Sequence, residues 1–285
     1  MAPEVLATIL IIISAFLHAS SSAFFRAAGD RLVRSAATGT ISLTVGVTMA
    51  FFVPAPSPEI WPFLLWSGGL MLLFQLASFK ALEYGPLGFI YPISRGMGPV
   101  GVGIILFFLF DVQPTLSTVI GVGLVFLGIT EMSMRGLRES NNKGEVRKAL
   151  GFALLTGLIV ACYTVIDSRA IKLVENPLTY VSYILILFSV NIFGYSIVMR
   201  RRRFVAAFKQ EIRRGIPAGM LGCASYICGL LAFRYGGAIE IAALREISIM
   251  FSVFIGWWFL GEGIGPRRLL SAFLIASGAI VIKAF

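Results

Sequence analysis

The chain has 285 residues, of which 58% are hydrophobic and only 13% charged, with a net charge of +10 and a mean hydropathy of +0.89. A soluble domain carries roughly 25% charged residues, so a water-soluble fold is excluded and an integral membrane protein is implied. The positive charge does not indicate nucleic-acid binding: most of it sits in short segments between apolar runs, where Lys and Arg orient helices in a bilayer.

A spanning helix needs about 20 mostly apolar residues. Ten such runs are predicted, near 5–25, 38–53, 61–82, 87–110, 115–134, 149–170, 178–199, 215–233, 238–260 and 267–284. All are read as α-helices, because lipid offers no partner to an open backbone group. They are too long and too uniformly apolar for the alternating strands of a β-barrel.

The first run follows Met-Ala-Pro-Glu, which lacks the basic stretch of a cleavable signal. It holds the single histidine, His18, ahead of Ser20, Ser21 and Ser22. An imidazole titrates near neutrality, which makes His18 a candidate proton relay. One histidine and three scattered thiols, Cys162, Cys223 and Cys228, form no metal pattern, and no metal or cofactor is expected. The second run is the shortest and ends at a proline-rich turn over 54–58. The third opens with Trp61 and Trp66, suited to an interfacial belt, and carries Gln75. In the fourth, Gly96, Gly98, Gly101 and Gly103 predict close helix approach. Pro92 and Pro99 predict a broken ladder beside Arg95, with Tyr91 nearby. The fifth adds Gly121, Gly123, Gly128 and Glu131.

The longest polar segment, 135–148, follows the fifth run and splits the chain into a first five-helix repeat (1–138), a basic connection (139–148) and a second repeat (149–285). The sixth run contains Tyr163 and Asp167, with Arg169 close by, and the seventh contains Asn191. Arg200 to Arg203 with Lys209, Arg213 and Arg214 reads as a solvated loop facing lipid headgroups. The ninth run encloses Arg245 and Glu246.

Residues 81–111 recur at an offset of 151. Ala81, Tyr84, Gly85, Ile90, Val102, Ile104, Phe108 and Leu109 return as Ala232, Tyr235, Gly236, Ile241, Val253, Ile255, Phe259 and Leu260, and Asp111 returns as Glu262. Five helices per half is an odd number, so homologous halves insert in opposite directions. Inverted repeats of this kind hold their substrate near the midplane between the halves. The copies differ most at their polar positions, Pro92-Ile-Ser-Arg95 against Ala243-Leu-Arg245-Glu246, as suits an asymmetric ligand.

Two five-helix repeats, Ala-x-x-Tyr-Gly turns at 81–85 and 232–236, and an acid closing runs four and nine (Asp111; Gly261-Glu262) resemble the drug/metabolite transporter superfamily, in its ten-helix EamA-type branch. The resemblance covers nearly the whole chain. It implies a secondary carrier that moves small organic metabolites, often amino acids or related compounds, by alternating access. His18 stands where the family often has Trp. The loop over 53–60 lacks the Lys or Arg that many relatives carry there.

Assigning loops after odd-numbered runs to one side gives that side eighteen Lys and Arg, including Arg26, Arg31 and Arg34, against four (Arg169, Lys172, Arg234, Lys283) on the other. The positive-inside rule then puts both termini outside, in what is expected to be a bacterial cytoplasmic membrane.

An ionisable side chain at a helix centre costs about 2.5–3.5 kcal/mol on insertion scales, so each such group needs a partner, a cavity or a task. Arg95, Arg245 and Glu246 are candidates for binding a carboxylate-bearing substrate, since Arg grips a carboxylate bidentately. The other reading of these residues is a structural bridge between the halves. Tyr91, His18, Gln75, Tyr163 and Asn191 are further substrate candidates, and His18, Glu246 and Asp167 are candidates for coupling to protons or another ion. A membrane enzyme or a non-transporting partner protein is the alternative, but no P-loop, HExxH or GxSxG is present. The expected state is a monomer or homodimer with a small-molecule substrate, a lipid bilayer around it and no nucleic acid.

Overall fold

A computed structural model describes the backbone of residues 2–25, 29–84, 87–138, 143–260 and 266–284. These residues form α1 (Pro3–Phe25), α2 (Arg31–Ala50), α3 (Trp61–Tyr84), α4 (Leu87–Phe110), α5 (Leu116–Arg138), α6 (Lys143–Leu173), α7 (Pro177–Arg200), α8 (Phe204–Tyr235), α9 (Ala238–Arg245), α10 (Ser248–Leu260) and α11 (Pro266–Ala284). A 3-10 turn, Arg201–Arg203, joins α7 to α8. The protein is 90% helical, with no strand among the described residues.

Segments long and apolar enough to cross a membrane are Pro3–Phe24, Trp61–Tyr84, Ile93–Phe110, Gly144–Leu173 and Pro177–Tyr235, the last containing both α7 and α8. Leu116–Glu131 and Leu270–Ile282 are shorter apolar helices. Large apolar side chains point outward, as at Trp66 (70% exposed) and Phe108 (73%), while serines such as Ser14, Ser67 and Ser189 are buried. That pattern suits lipid as the surrounding solvent, where small polar residues join helices together.

Several expected boundaries change. The second run extends back to Arg31, the sixth to Lys143 and the eighth to Phe204, because charged segments read as loops continue the helix. Arg34, read as a loop cation, is wholly buried in the first turn of α2. The ninth run is two helices, interrupted at Glu246 and Ile247. Conversely, α4 runs unbroken from Leu87 to Phe110 through both prolines; one missing N–H does not end a helix held by tight packing.

The chain divides into two compact units. The first holds Met1–Leu72 and Ile166–Gly236; the second holds Leu73–Val165 and Gly237–Phe285. In the first unit α1 lies against α8, and α2 lies against α7 and α8. Ser14 Oγ donates to the Ser225 carbonyl (2.7 Å), Ser225 Oγ to the Ser14 carbonyl (2.8 Å) and Ser21 Oγ to the Ala218 carbonyl (2.8 Å). Near the far ends of α6 and α8, Arg234 Nη1 donates to the carbonyls of Ile171, Lys172 and Val174 at 2.9–3.0 Å. A cation there meets the negative end of the α6 dipole.

The opposite end of this unit is tied by four charged residues. Asp30 caps α2, accepting from the Leu32 and Val33 amides. Its two oxygens also take a fork from Arg200, at 2.6 and 3.1 Å. Glu211 of α8 accepts from the Asp30 amide (3.0 Å) and from Arg34 Nε (2.7 Å). Gly29 lies at φ +142°, and a Cβ there would collide with the Glu211 carboxylate and the Arg34 guanidinium, so the position takes glycine on both counts.

Burial raises the Asp30 pKa, but hydrogen bonds from Arg200 and from the Val33 and Leu32 amides, with the Arg200 charge, outweigh it and hold the carboxyl below its ordinary value. A depressed folded-state pKa contributes stability above the unfolded value that is lost as pH falls through the folded one. Asp30→Asn, which keeps the cap but not the charge, should melt below the wild type near neutrality. The gap should close below about pH 4. Thermal unfolding of the purified protein across pH reads this directly; a gap unchanged to the lowest pH would contradict it.

In the second unit α5 lies against α11, and α4 against α5 and α9. Gly121 and Gly278 bring α5 and α11 together: a Cβ on Gly278 would stand 2.6 Å from the Gly121 carbonyl, and one on Gly121 2.7 Å from the Gly278 carbonyl. Gly128 also faces α11, whereas Gly123 faces open space. Asp111, with φ +52°, ends α4 in the left-handed region, and the Val112 amide reaches back to the Leu106 carbonyl (3.2 Å). This acid is therefore a helix stop; Gly85 and Glu262 lie outside the described residues.

Candidate functional site

The break between α9 and α10 contains no glycine or proline. At Glu246 and Ile247 the ladder tightens instead: their amides bond to the carbonyls of Ala243 (3.0 Å) and Leu244 (3.1 Å), three residues back, and the Ile249 amide bonds to Glu246 (2.9 Å). The α pattern resumes with the Phe251 amide on Ile247 (3.2 Å). A short 3-10 stretch inside a helix recurs at functional hinges, and interrupted spanning helices line the binding sites of many transporters.

Charged side chains collect at this break. Arg95 Nη1 of α4 donates to Glu246 Oε1 at 3.4 Å, with the two side chains 11% and 1% exposed. That separation exceeds the roughly 2.7–2.9 Å of a tight charged hydrogen bond. Arg245 Nε, Glu246 Oε2 and Ser248 Oγ are buried and have no hydrogen-bond partner among the described residues. Three such atoms within four residues are unusual, because buried polar atoms are nearly always paired. The cluster brings the guanidinium groups of Arg95 and Arg245 to the Glu246 carboxylate. Arg95 and Glu246 are also separated by 151 residues, the offset of the repeat.

A second polar cluster lies in the other unit around Asp167 of α6, which is 2% exposed. Its Oδ1 accepts from Ser67 Oγ of α3 (2.5 Å) and the Tyr180 hydroxyl of α7 (2.7 Å). Its Oδ2 accepts from the Tyr226 hydroxyl of α8 (2.8 Å). Arg169, the neighbour suggested by the sequence, is exposed, and hydroxyls from three other helices donate to the Asp167 carboxylate.

The remaining candidates divide between the units. In the first, His18 is half-buried and its carbonyl accepts from Ser22 Oγ (2.8 Å), while Asn191 Nδ2 donates to the Gly68 carbonyl (3.1 Å). In the second, Tyr163 meets Phe74 edge to face at 6.1 Å, and Gln75 and Glu131 are half-buried. The side chain of Tyr91 lies outside the described residues. Among the described residues no group of three His, Cys, Asp or Glu side chains is placed to hold a metal. Ser67, Tyr180, Tyr226 and Ser248 were not singled out in the sequence, where nothing distinguishes them from other Ser and Tyr in apolar runs.

The apolar, lipid-suited helices and the buried charges at an interrupted helix define the class: an integral membrane protein with polar sites inside its spanning segments. Residues 147–284 match the EamA-like transporter family. The second half of the chain thus carries an EamA-like domain, and that family belongs to the drug/metabolite transporter superfamily, whose members are membrane transporters of small molecules. A solved structure described only as "Crystal structure of protein" shares the fold, with a TM-score of 0.74 and 17% identity over 99% of this chain and 98% of the other. No curated protein matches the chain.

Proposed function

We propose that the protein is a secondary transporter for a small zwitterionic or anionic organic metabolite, an amino acid or a related carboxylate-bearing compound. The observation that carries this is the buried cluster at the α9–α10 break. Arg245 stands at the break with Nε unpartnered, and the planar guanidinium fork fits a carboxylate. The unpartnered Arg245 Nε offers a donor and Glu246 Oε2 an acceptor, a pairing that matches the carboxylate and ammonium of an amino acid. The cost of leaving those atoms unpaired is then recovered when substrate binds.

The wider reading is ten spans in two inverted five-helix repeats that alternate access to a central site. Helices at equivalent repeat positions lie side by side within the units: α2 with α7, α4 with α9, and α5 with α11. The Arg95–Glu246 pair joins two equivalent positions. Both features are expected near a pseudo-twofold axis.

Proteoliposomes offered labelled amino acids and organic acids should accumulate at least one of them, saturably. No saturable flux and no binding across that panel would refute the reading.

A further inference from the structure

We infer that Asp167 is a proton-binding site, with Tyr226 as its gate and Met71 as the acceptor that takes over the Tyr226 hydroxyl when Asp167 is protonated. The two carboxylate oxygens have different surroundings. Oδ1 is sealed by Ser67 and Tyr180, both 0% exposed. Oδ2 meets Tyr226, which is only partly buried, so Oδ2 is the more accessible of the two oxygens.

In the charged state the oxygens accept three hydroxyl hydrogen bonds, which compensates a carboxylate held in a low-dielectric interior. A proton arriving at Oδ2 forms an O–H bond there and turns that atom from acceptor to donor. The Tyr226 hydroxyl must then accept from Asp167 and send its own hydrogen elsewhere. Met71 Sδ stands 3.9 Å from the same hydroxyl and supplies the alternative. The Oδ1 bonds to Ser67 and Tyr180 need not change. The Tyr226 hydroxyl thus has two partners within reach, and the two arrangements differ by one proton and one hydroxyl rotation.

The groups facing the carboxyl include Ser67 from α3, Tyr180 from α7 and Tyr226 from α8. Other titratable side chains on the surrounding elements include Arg169, exposed on α6, and Cys162 and Tyr163 one to two turns before Asp167; Tyr183 on α7, whose ring meets Trp61; Cys223 and Cys228 on α8; and His18 on α1, which lies against α8. Because four helices converge on this one side chain, its protonation bears on how they pack. Coupling of the proton to solute movement rests on the transport reading above, whereas protonation itself does not.

The test is an acid-minus-alkaline infrared difference spectrum of the full-length protein reconstituted in lipid. A carbonyl band of a buried protonated carboxyl should appear in the wild type, vanish in Asp167→Asn and persist in Glu246→Gln. Tyr226→Phe should keep the band but shift its frequency and its titration midpoint, which keeps the proposal falsifiable if Asp167→Asn fails to fold. A wild-type spectrum without such a band, one unchanged in Asp167→Asn, or a Tyr226→Phe band identical to the wild type would overturn it. In liposomes loaded with a pH-sensitive dye and given a labelled amino-acid mixture, wild type should move protons with solute and Asp167→Asn solute alone. Solute flux in the absence of the band defeats the proton site; the band in the absence of flux defeats the transport reading.

Discussion

Glu246→Gln should abolish uptake and give the least stable protein of the set Glu246→Gln, Arg95→Gln and Arg95→Lys. The reason lies in charge counting at the α9–α10 break. Removing Glu246 leaves Arg95 and Arg245, both half-buried, without the acid that both adjoin, whereas Arg95→Gln leaves the buried Glu246 beside Arg245. Breaking a buried pair by deleting one partner costs about 3–5 kcal/mol, and the Glu246 variant should lie toward the upper part of that range. Arg95→Lys separates the two roles of the arginine. It restores a charge for Glu246, so thermal stability should return most of the way, but it lacks the planar fork, so uptake should stay at least tenfold down. Recovery of both stability and uptake in Arg95→Lys would mean that the pair is only a structural bridge.

Arg34→Ala should be the most damaging single change in the first unit, by about 3–5 kcal/mol. Arg34 is wholly buried, its Nε is 2.7 Å from Glu211 Oε2, and its Nη1 donates to the Phe24 carbonyl at 3.4 Å. Truncating it leaves a carboxylate that is 5% exposed with its principal counter-charge gone. The double variant Arg34→Met/Glu211→Met removes both charges and should be more stable than either single substitution, since an apolar replacement of a whole buried pair is often neutral. Melting temperatures of the four proteins form a double-mutant cycle. The folded fraction of each should retain the wild-type KM for solute, because these residues brace helix ends and are not part of the proposed substrate cluster. Additive losses in the cycle would show that Arg34 and Glu211 do not depend on each other.

The residues at the helix break were legible because of the repeat. An offset of 151 puts Arg95 opposite Glu246 in the sequence alone, and the cost of charge in lipid marks both as needing partners. The break itself was not legible. Pro92 and Pro99 advertised an interruption in the first copy, yet α4 is continuous there, while Ala243-Leu-Arg-Glu246 carries no breaker and α9 ends within it. Local tightening of a ladder is decided by tertiary packing, which a window of sequence does not contain.

The Asp167 cage shows the same limit in another form. Its acid stood out, but the hydroxyls of Ser67, Tyr180 and Tyr226 lie 100, 13 and 59 positions away, and only the packing of four helices unites them. Arg34 reads as a loop cation because hydropathy cannot tell a solvated cation from one buried against an acid 177 positions away. Removing it from the count of surface cations leaves the charge asymmetry of the two sides in the same direction.

The most direct measurement is uptake by proteoliposomes of an accepted amino acid against its methyl ester, which keeps the ammonium and removes the carboxylate. If Arg95 and Arg245 hold the carboxylate, the ester should neither enter through the protein nor compete at tenfold excess, and Arg95→Gln should bring uptake of the acid down to the level of the ester. Equal transport of acid and ester by the wild type would contradict the account.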